Sequence, residues 1–89
     1  MTEEELVRIE ELANAARSGP WKSYIEGRDH ESGSDFIMIG QGKLRHDDDL
    51  ELAGATHADQ DFIASARQDV PALIKEIRRL RQELEKFNA

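Results

Sequence analysis

The chain has 89 residues, of which 38% are hydrophobic and 35% charged, and its formal net charge is -7. So short a chain can bury only a small core, and so acidic a chain lacks the excess of Lys and Arg on which general nucleic-acid binding depends. It contains no cysteine, which excludes disulfides and cysteine-ligated zinc as sources of stability.

The first residues predict a helix over 1–19. Thr2 and Glu5 have the spacing of a capping box, in which each side chain satisfies a free backbone amide at the helix start. Gly19 and Pro20 then end the helix. Apolar residues recur between them at helical spacing: Leu6, Ile9, Leu12, Ala13 and Ala16.

Residues 20–55 predict a β-meander of three short antiparallel strands. From Trp21 the pattern alternates between apolar and polar, which is typical of a strand with two unlike faces. The second strand, 35–39, is apolar on both faces and should be the central one. Leu50 and Leu52 predict a third strand, which ends at Gly54.

Residues 56–89 predict a helical oligomerisation segment. Thr56 and Asp59 form a second capping pair, which opens a short helix. Asp69 is then the expected cap of a separate long helix, with Pro71 tolerated in its first turn. The whole chain, 1–89, is therefore predicted to be a single α+β domain with an N-terminal helix, a three-stranded antiparallel sheet, a short helix and a long C-terminal helix.

The last helix carries apolar residues at alternating steps of three and four, as in a coiled coil. We call this set the seam: Val70, Leu73, Ile77, Leu80, Leu84 and Phe87. Packing on the chain's own sheet is one interpretation. Pairing with other copies is favoured, because a three-stranded sheet is too small to cover six such residues. The sequence therefore predicts a homo-oligomer.

Catalytic motifs are not found in the sequence: it has neither a nucleophile elbow nor a glycine-rich phosphate loop. We therefore expect neither an enzyme nor a cofactor. His46 and the acidic run 47–49 form a cluster of oxygen and imidazole groups, but their spacing matches no calcium loop, so a solvated turn is favoured over a metal site.

Two kinds of side chain are candidates for ligand binding. Trp21 is either a core anchor or a stacking platform for a base. Arg67 lies between the two predicted helices and is interpreted as a bridge either to Asp69 or to an anionic ligand, since guanidinium groups bind phosphates. Arg78, Arg79 and Arg81 follow on the last helix. They are interpreted as flank charges that pair with Glu76, Glu83 and Glu85 across a helical interface, and the alternative is a clamp for an anionic ligand near a subunit junction.

Two runs carry a resemblance to a known group of proteins. They are residues 15–21, AARSGPW, and residues 58–74, ADQDFIASARQDVPALI. The two runs look like those of a group of small phage, prophage and bacterial proteins. The phage Thoeris anti-defence sponges are similar in appearance to this group, and they sequester cyclic ADP-ribose isomers. The two runs cover about a quarter of the chain.

The resemblance implies an oligomer built on the C-terminal helices, with pockets for a small anionic nucleotide between subunits, in the cytoplasm of a bacterial host cell. It implies these pocket residues: Trp21, Phe62, Arg67 and Asp69, with Arg28, Lys43 and Arg45 as additions. The leading hypothesis is a non-enzymatic sponge for a cyclic nucleotide or a cyclic ADP-ribose-derived signal. The alternative is an acidic protein-interaction module or an inhibitor of a host or toxin protein.

No apolar run approaches the roughly 20 residues that span a membrane, and the first residues are acidic, unlike the basic start of a signal peptide. A cytoplasmic protein without membrane insertion is therefore expected.

Overall fold

A computed structural model describes residues 1–88. Its elements in chain order are α1 (Glu3–Ala15), β1 (Trp21–Tyr24), β2 (Phe36–Ile39), a 3-10 turn (Gly42–Leu44) and α2 (His57–Asn88). The predicted α+β class, with an N-terminal helix and a long C-terminal helix, is confirmed. A search of residues 1–88 found no helix with the length and apolar character needed to cross a membrane.

The N-terminal helix begins as the sequence predicts. The Thr2 amide donates to the Glu5 carboxylate at 3.0 Å, and the Glu5 amide donates to the Thr2 hydroxyl at 3.1 Å, which completes the capping box. These hydrogen bonds hold the pKa of Glu5 below its ordinary value. Leu6 is fully buried, so α1 packs through its first turns.

The sheet has two strands, not the predicted three. β1 and β2 are antiparallel, with Trp21 opposite Ile39 and Tyr24 opposite Phe36. Leu50 pairs with Ile37 through two backbone hydrogen bonds of 2.8 and 2.9 Å, but this is an isolated bridge. The chain turns at residues 52–55 immediately afterwards, so the third strand stops at one residue.

The core lies between the sheet and α2. Ile37, Ile39 and Ala64 form a buried cluster, against which Trp21, Leu50 and Leu52 pack. Leu50 and Leu52 were predicted as strand residues, and they instead contribute side chains to this cluster. The apolar character of these residues therefore reflects their packing in the core. Most of the backbone pairing expected for a third strand is missing.

The predicted short helix and long helix form one continuous helix, α2, and Asp69 is an exposed residue inside it, not a cap. Pro71 lies in the helix interior, where the missing amide and the ring cost about 3 kcal/mol. Packing on both sides offsets that cost: Gln60 and Ala64 are buried before the proline, and Ile74 is buried after it. The tertiary contacts of α2 therefore outweigh the local tendency of Asp69 and Pro71 to interrupt the helix.

The molecule is elongated because α2 is longer than the rest of the fold. Its principal extents are 58 × 27 × 19 Å and its radius of gyration is 16.6 Å, whereas a compact chain of this length has about 12 Å.

Candidate functional site

The seam leaves four large apolar side chains exposed along one side of α2. The exposed fractions are 60% for Leu73, 52% for Leu80, 62% for Leu84 and 87% for Phe87. Val70 and Ile77 are half-buried. The predicted seam therefore exists as one side of a helix, and within residues 1–88 most of it is uncovered.

Arginines of α2 hold α1 in place beside the seam. Arg67 donates to the Ala13 carbonyl in the last turn of α1, where carbonyl groups have no helical partner. Arg78 donates to Glu10 at 2.6 Å and to Glu3 at 3.2 Å. These carboxylates raise the pKa of Arg78 above its ordinary value. The interactions fix the antiparallel packing of the two helices.

In the single chain, one of the three C-terminal arginines contacts a predicted glutamate, but within the same helix and not across an interface between helices. Arg79 pairs with Glu76 at 2.6 Å, and this contact lowers the pKa of Glu76. Arg78 and Arg81 instead bind α1, Arg81 through Glu3 at 3.2 Å and through the Met1 carbonyl. The sequence pattern did not reveal that α1 lies along this side of α2.

Trp21 and Arg67 lie together in one apolar groove. This Trp21 groove has a volume of about 270 Å³. It is lined by Ile9, Leu12, Ala13 and Ala16 from the first helical segment, Trp21, and Ile63, Ala66, Arg67 and Val70 from α2. The groove opens beside the seam, since Val70 belongs to both.

Backbone and side-chain contacts position Trp21 at the groove. Its indole N–H donates to the Arg17 carbonyl at 3.1 Å. Its backbone amide donates to the Gln68 side-chain oxygen at 2.8 Å, and its carbonyl accepts from the Gln68 side-chain nitrogen at 3.1 Å. Gln68 thus satisfies the free edge of β1 as a neighbouring strand would. A Cβ at Gly19 would lie 3.0 Å from the Gln68 oxygen, so a larger residue there would displace the Gln68 side chain by a few tenths of an ångström.

The other predicted ligand residues do not line this groove. Arg28 is bound by Asp61 at 2.8 Å and by Asp29 at 2.8 Å. Arg45 pairs with Asp49 at 3.4 Å, and Lys43 lies nearby on the 3-10 turn. Asp69 is exposed on α2.

Phe62 borders a different depression, of about 510 Å³, and its side chain is 74% exposed. The two acidic residues of that lining, Glu51 and Asp59, make it a poor site for an anion.

Gln60 is a structural residue that the sequence analysis missed. It is the one buried polar residue among those described. Its side-chain nitrogen lies 2.9 Å from the Ser23 hydroxyl and 3.1 Å from the carbonyls of Tyr24 and Phe36. Gln60, Ala64 and Gln68 are spaced by four residues and therefore share one helix face. That spacing is the sequence signal that could have predicted that Gln60 faces the sheet.

The acidic loop 46–49 combines one imidazole with three carboxylates. Across residues 1–88, no group of three or more His, Asp or Glu side chains is arranged to hold a metal ion. Comparisons of the chain with protein-family models, with curated proteins and with solved structures gave no match.

Proposed function

We propose that this chain is a non-enzymatic interaction protein that works by self-association through the seam of α2. The observation that supports the proposal is the exposure of Leu73, Leu80, Leu84 and Phe87 along one side of a helix. Transfer of such side chains from water into a protein contact is favourable by about 25 cal/mol per Å². A second copy supplies the matching surface, because the same apolar stripe is present on it.

The exposed area is appropriate for a stable dimer. Taking about 200 Å² for each complete side chain, the four exposed seam residues and Phe62 leave roughly 700 Å² uncovered. A standard interface buries about 800 Å² per partner, whereas the largest apolar patch on a typical monomer is about 300–600 Å². The surface is therefore at the upper end of what a monomer normally exposes and close to what one partner buries in a standard interface.

The test is the solution mass of Leu80→Asp compared with that of the wild type, measured by light scattering over a range of protein concentrations. Because Leu80 lies within the seam, a buried carboxylate there should shift the mass to that of a monomer. Gln82→Asp introduces the same charge two residues away, outside the seam, and should leave the mass unchanged. A wild type that stays monomeric at high concentration would disprove self-association.

Sequestration of a nucleotide-derived signal is our second candidate function. The observation that favours it is the joint presence of Trp21 and Arg67 in the Trp21 groove. An indole can stack on a base, and a guanidinium group has five N–H donors, of which only some are used by the Ala13 carbonyl. A volume of about 270 Å³ is slightly below the usual 300–1,000 Å³ of ligand pockets, so a second copy would have to extend it.

Native mass spectrometry tests this second function. The protein is mixed with a panel of cyclic nucleotides and ADP-ribose cyclisation products, and an intact ligand mass should be gained by the oligomer. If no panel member adds mass, the sponge hypothesis loses its support, and a role in protein recognition, including inhibition of a host or toxin protein, is favoured.

A further inference from the structure

The continuity of α2 extends the seam toward the N-terminus. Because the helix is not interrupted at Pro71, the heptad phase of the seam continues backward from Val70 to Ala66 and Ile63. The a positions are then Ile63, Val70, Ile77 and Leu84, and the d positions are Ala66, Leu73, Leu80 and Phe87. Three β-branched residues at a, with leucine at two d positions, favour two strands over three or four if the helices are parallel.

The charges beside the seam also distinguish the two orientations. The g positions carry carboxylates at Asp69, Glu76 and Glu83. An antiparallel pair brings g residues against g residues, so these carboxylates would face each other. A parallel pair brings each g residue against the e residue of the partner's next heptad, which places Glu76 beside the partner's Arg81. Neighbouring like charges destabilise a helix pair and neighbouring opposite charges stabilise it, so the parallel orientation is favoured over the antiparallel one.

Arg81 and Glu76 both have intramolecular partners and can still accept this contact. Arg81 uses its guanidinium group for Glu3 and the Met1 carbonyl, and Glu76 binds Arg79. A guanidinium group has five donors and a carboxylate has about four acceptor positions. The interchain contact therefore requires neither intramolecular pair to break.

The same parallel register predicts which part of the partner Phe62 contacts. Phe62 is at a g position, and the e residue of the next heptad is Arg67, which lines the Trp21 groove. In a parallel pair the phenyl ring of one copy therefore lies at the groove of the other. A cavity of about 150 Å³ accommodates a benzene ring, so a groove of about 270 Å³ has room for it.

We propose that two copies pair α2 in parallel and that Phe62 of each copy packs into the Trp21 groove of the other. This inference rests on the proposed self-association and identifies its partner, its orientation and a contact at the N-terminal end of the seam. With the ring in place the groove is filled, so this contact and nucleotide binding in the groove exclude each other. It accounts for a phenylalanine that is 74% exposed in the single chain, and it places the ring beside an indole and a guanidinium group, both favourable neighbours for it.

The contact is tested with Phe62→Ala, because truncation of an aromatic residue that fills a pocket of the partner costs about 2 kcal/mol or more, which is about thirtyfold in the dissociation constant. Leu44→Ala is the matched control, since Leu44 is 73% exposed on the 3-10 turn, away from the seam. Sedimentation equilibrium should show a weakened dimer for Phe62→Ala only. Equal dissociation constants for the two variants would overturn the proposed contact.

Trp21 provides a local readout of the same contact, because it is the chain's single tryptophan. Dilution of the wild type should shift its fluorescence to the red as the partner's ring leaves the groove and water enters. Phe62→Ala should show the red-shifted emission at every concentration. A spectrum that does not change with concentration while the mass does would place the interface elsewhere.

Orientation is tested by cross-linking, which the absence of native cysteines makes specific. Asn88→Cys should cross-link to itself with a short bis-maleimide, because the two ends of α2 are adjacent in a parallel pair. In an antiparallel pair, residue 88 lies beside residue 62 of the other copy, and the two thiols are about 39 Å apart at about 1.5 Å per residue. Efficient cross-linking of mixed Asp69→Cys and Glu83→Cys chains would instead show antiparallel pairing.

These outcomes separate the inference from the proposed function. A monomeric wild type removes both. A dimer that is disrupted by Leu80→Asp, but whose Asn88→Cys variant does not cross-link, keeps the seam and overturns the parallel orientation.

Discussion

At the scale of single residues, the buried amide of Gln60 joins α2 to both strands. Its side chain is 3% exposed and lies at hydrogen-bonding distance from Ser23 and from the carbonyls of Tyr24 and Phe36. No apolar side chain of the same size can replace these bonds. The position therefore requires a donor, although the helical pattern around it would accept a leucine.

We predict that Gln60→Leu lowers the free energy of unfolding by about 1–3 kcal/mol, because the buried acceptors lose their donor. Urea denaturation followed by circular dichroism measures the change. Gln82→Leu makes the same substitution on an exposed turn of α2 and should stay within about 0.5 kcal/mol of the wild type. An equal effect in both variants would mean that the amide is not what matters at Gln60.

The ion pair between Arg28 and Asp61 predicts a dependence of stability on pH. Hydrogen bonds from Arg28 and then from Ser23 lower the pKa of Asp61 to about 2. The unfolded chain titrates this group near its ordinary value of about 3.9. Because the folded pKa is the lower one, the stabilisation is complete above about pH 4 and is lost as the pH falls toward 2.

We therefore expect Asp61→Asn to reduce the loss of stability between pH 4 and pH 2, measured as the urea midpoint at each pH. Asp48→Asn removes an exposed carboxylate from the acidic loop 46–49 and is the control; it should keep the wild-type acid dependence. If both variants titrate alike, the acid sensitivity comes from other groups.

At the scale of elements, the start of α2 is held by a second capping box. The Thr56 amide donates to the Asp59 carboxylate at 3.0 Å, and the Asp59 amide donates to the Thr56 hydroxyl at 3.0 Å. The Thr56 carbonyl accepts from the Gln60 amide at 3.0 Å. The cap thus fixes the turn that carries Gln60 toward the sheet. The sequence predicted this pair correctly, because a capping box is a local motif.

Thr56→Ala should destabilise the protein by about 1 kcal/mol, within a usual range of about 0.5–2 kcal/mol for lost caps. Thr56→Ser keeps the hydroxyl and should retain most of the stability. Thermal unfolding of the two variants at equal concentration provides the comparison. A serine variant as unstable as the alanine variant would argue that the methyl group, and not the cap, is responsible.

The predicted elements that proved wrong are those governed by contacts between distant segments. Leu50 and Leu52 have a strand pattern, yet only Leu50 pairs with β2, because the chain turns toward α2. Asp69 and Pro71 have the pattern of a helix start, yet α2 continues through them. In both places the local signal was present, and packing against the sheet and α1 decided the outcome.

At the scale of the whole molecule, the C-terminal end of α2 extends past the rest of the fold. Arg81 is the last residue of α2 that bonds to α1. The ion pair that the structure shows beyond it, between Glu83 and Lys86, stays within the helix. The exposed side chains of Leu84 and Phe87 are in this part, so its stability should depend on a partner.

We predict that amide hydrogen exchange of residues 82–88 slows as protein concentration rises. A helix end without tertiary contacts opens locally at little cost, and association would add the missing contacts. Mass spectrometry of peptides from a concentrated and a dilute sample measures the difference. Peptides from β2, which is buried within the single chain, should exchange alike in both, and an equal rate for 82–88 would contradict association through this segment.

The sequence by itself determined both capping boxes, the two helical regions, the apolar pairing strands and the heptad spacing of the seam. These depend on hydrogen bonds and periodicities within a few residues. Tertiary structure alone decided that α2 is continuous and that three of its arginines hold α1: Arg67, Arg78 and Arg81. It also decided that Trp21 and Arg67 share a groove. The other predicted ligand residues do not line that groove: Arg28, Lys43, Arg45, Phe62 and Asp69. Those outcomes depend on which distant surfaces are buried together, and a linear pattern of residue types does not specify that.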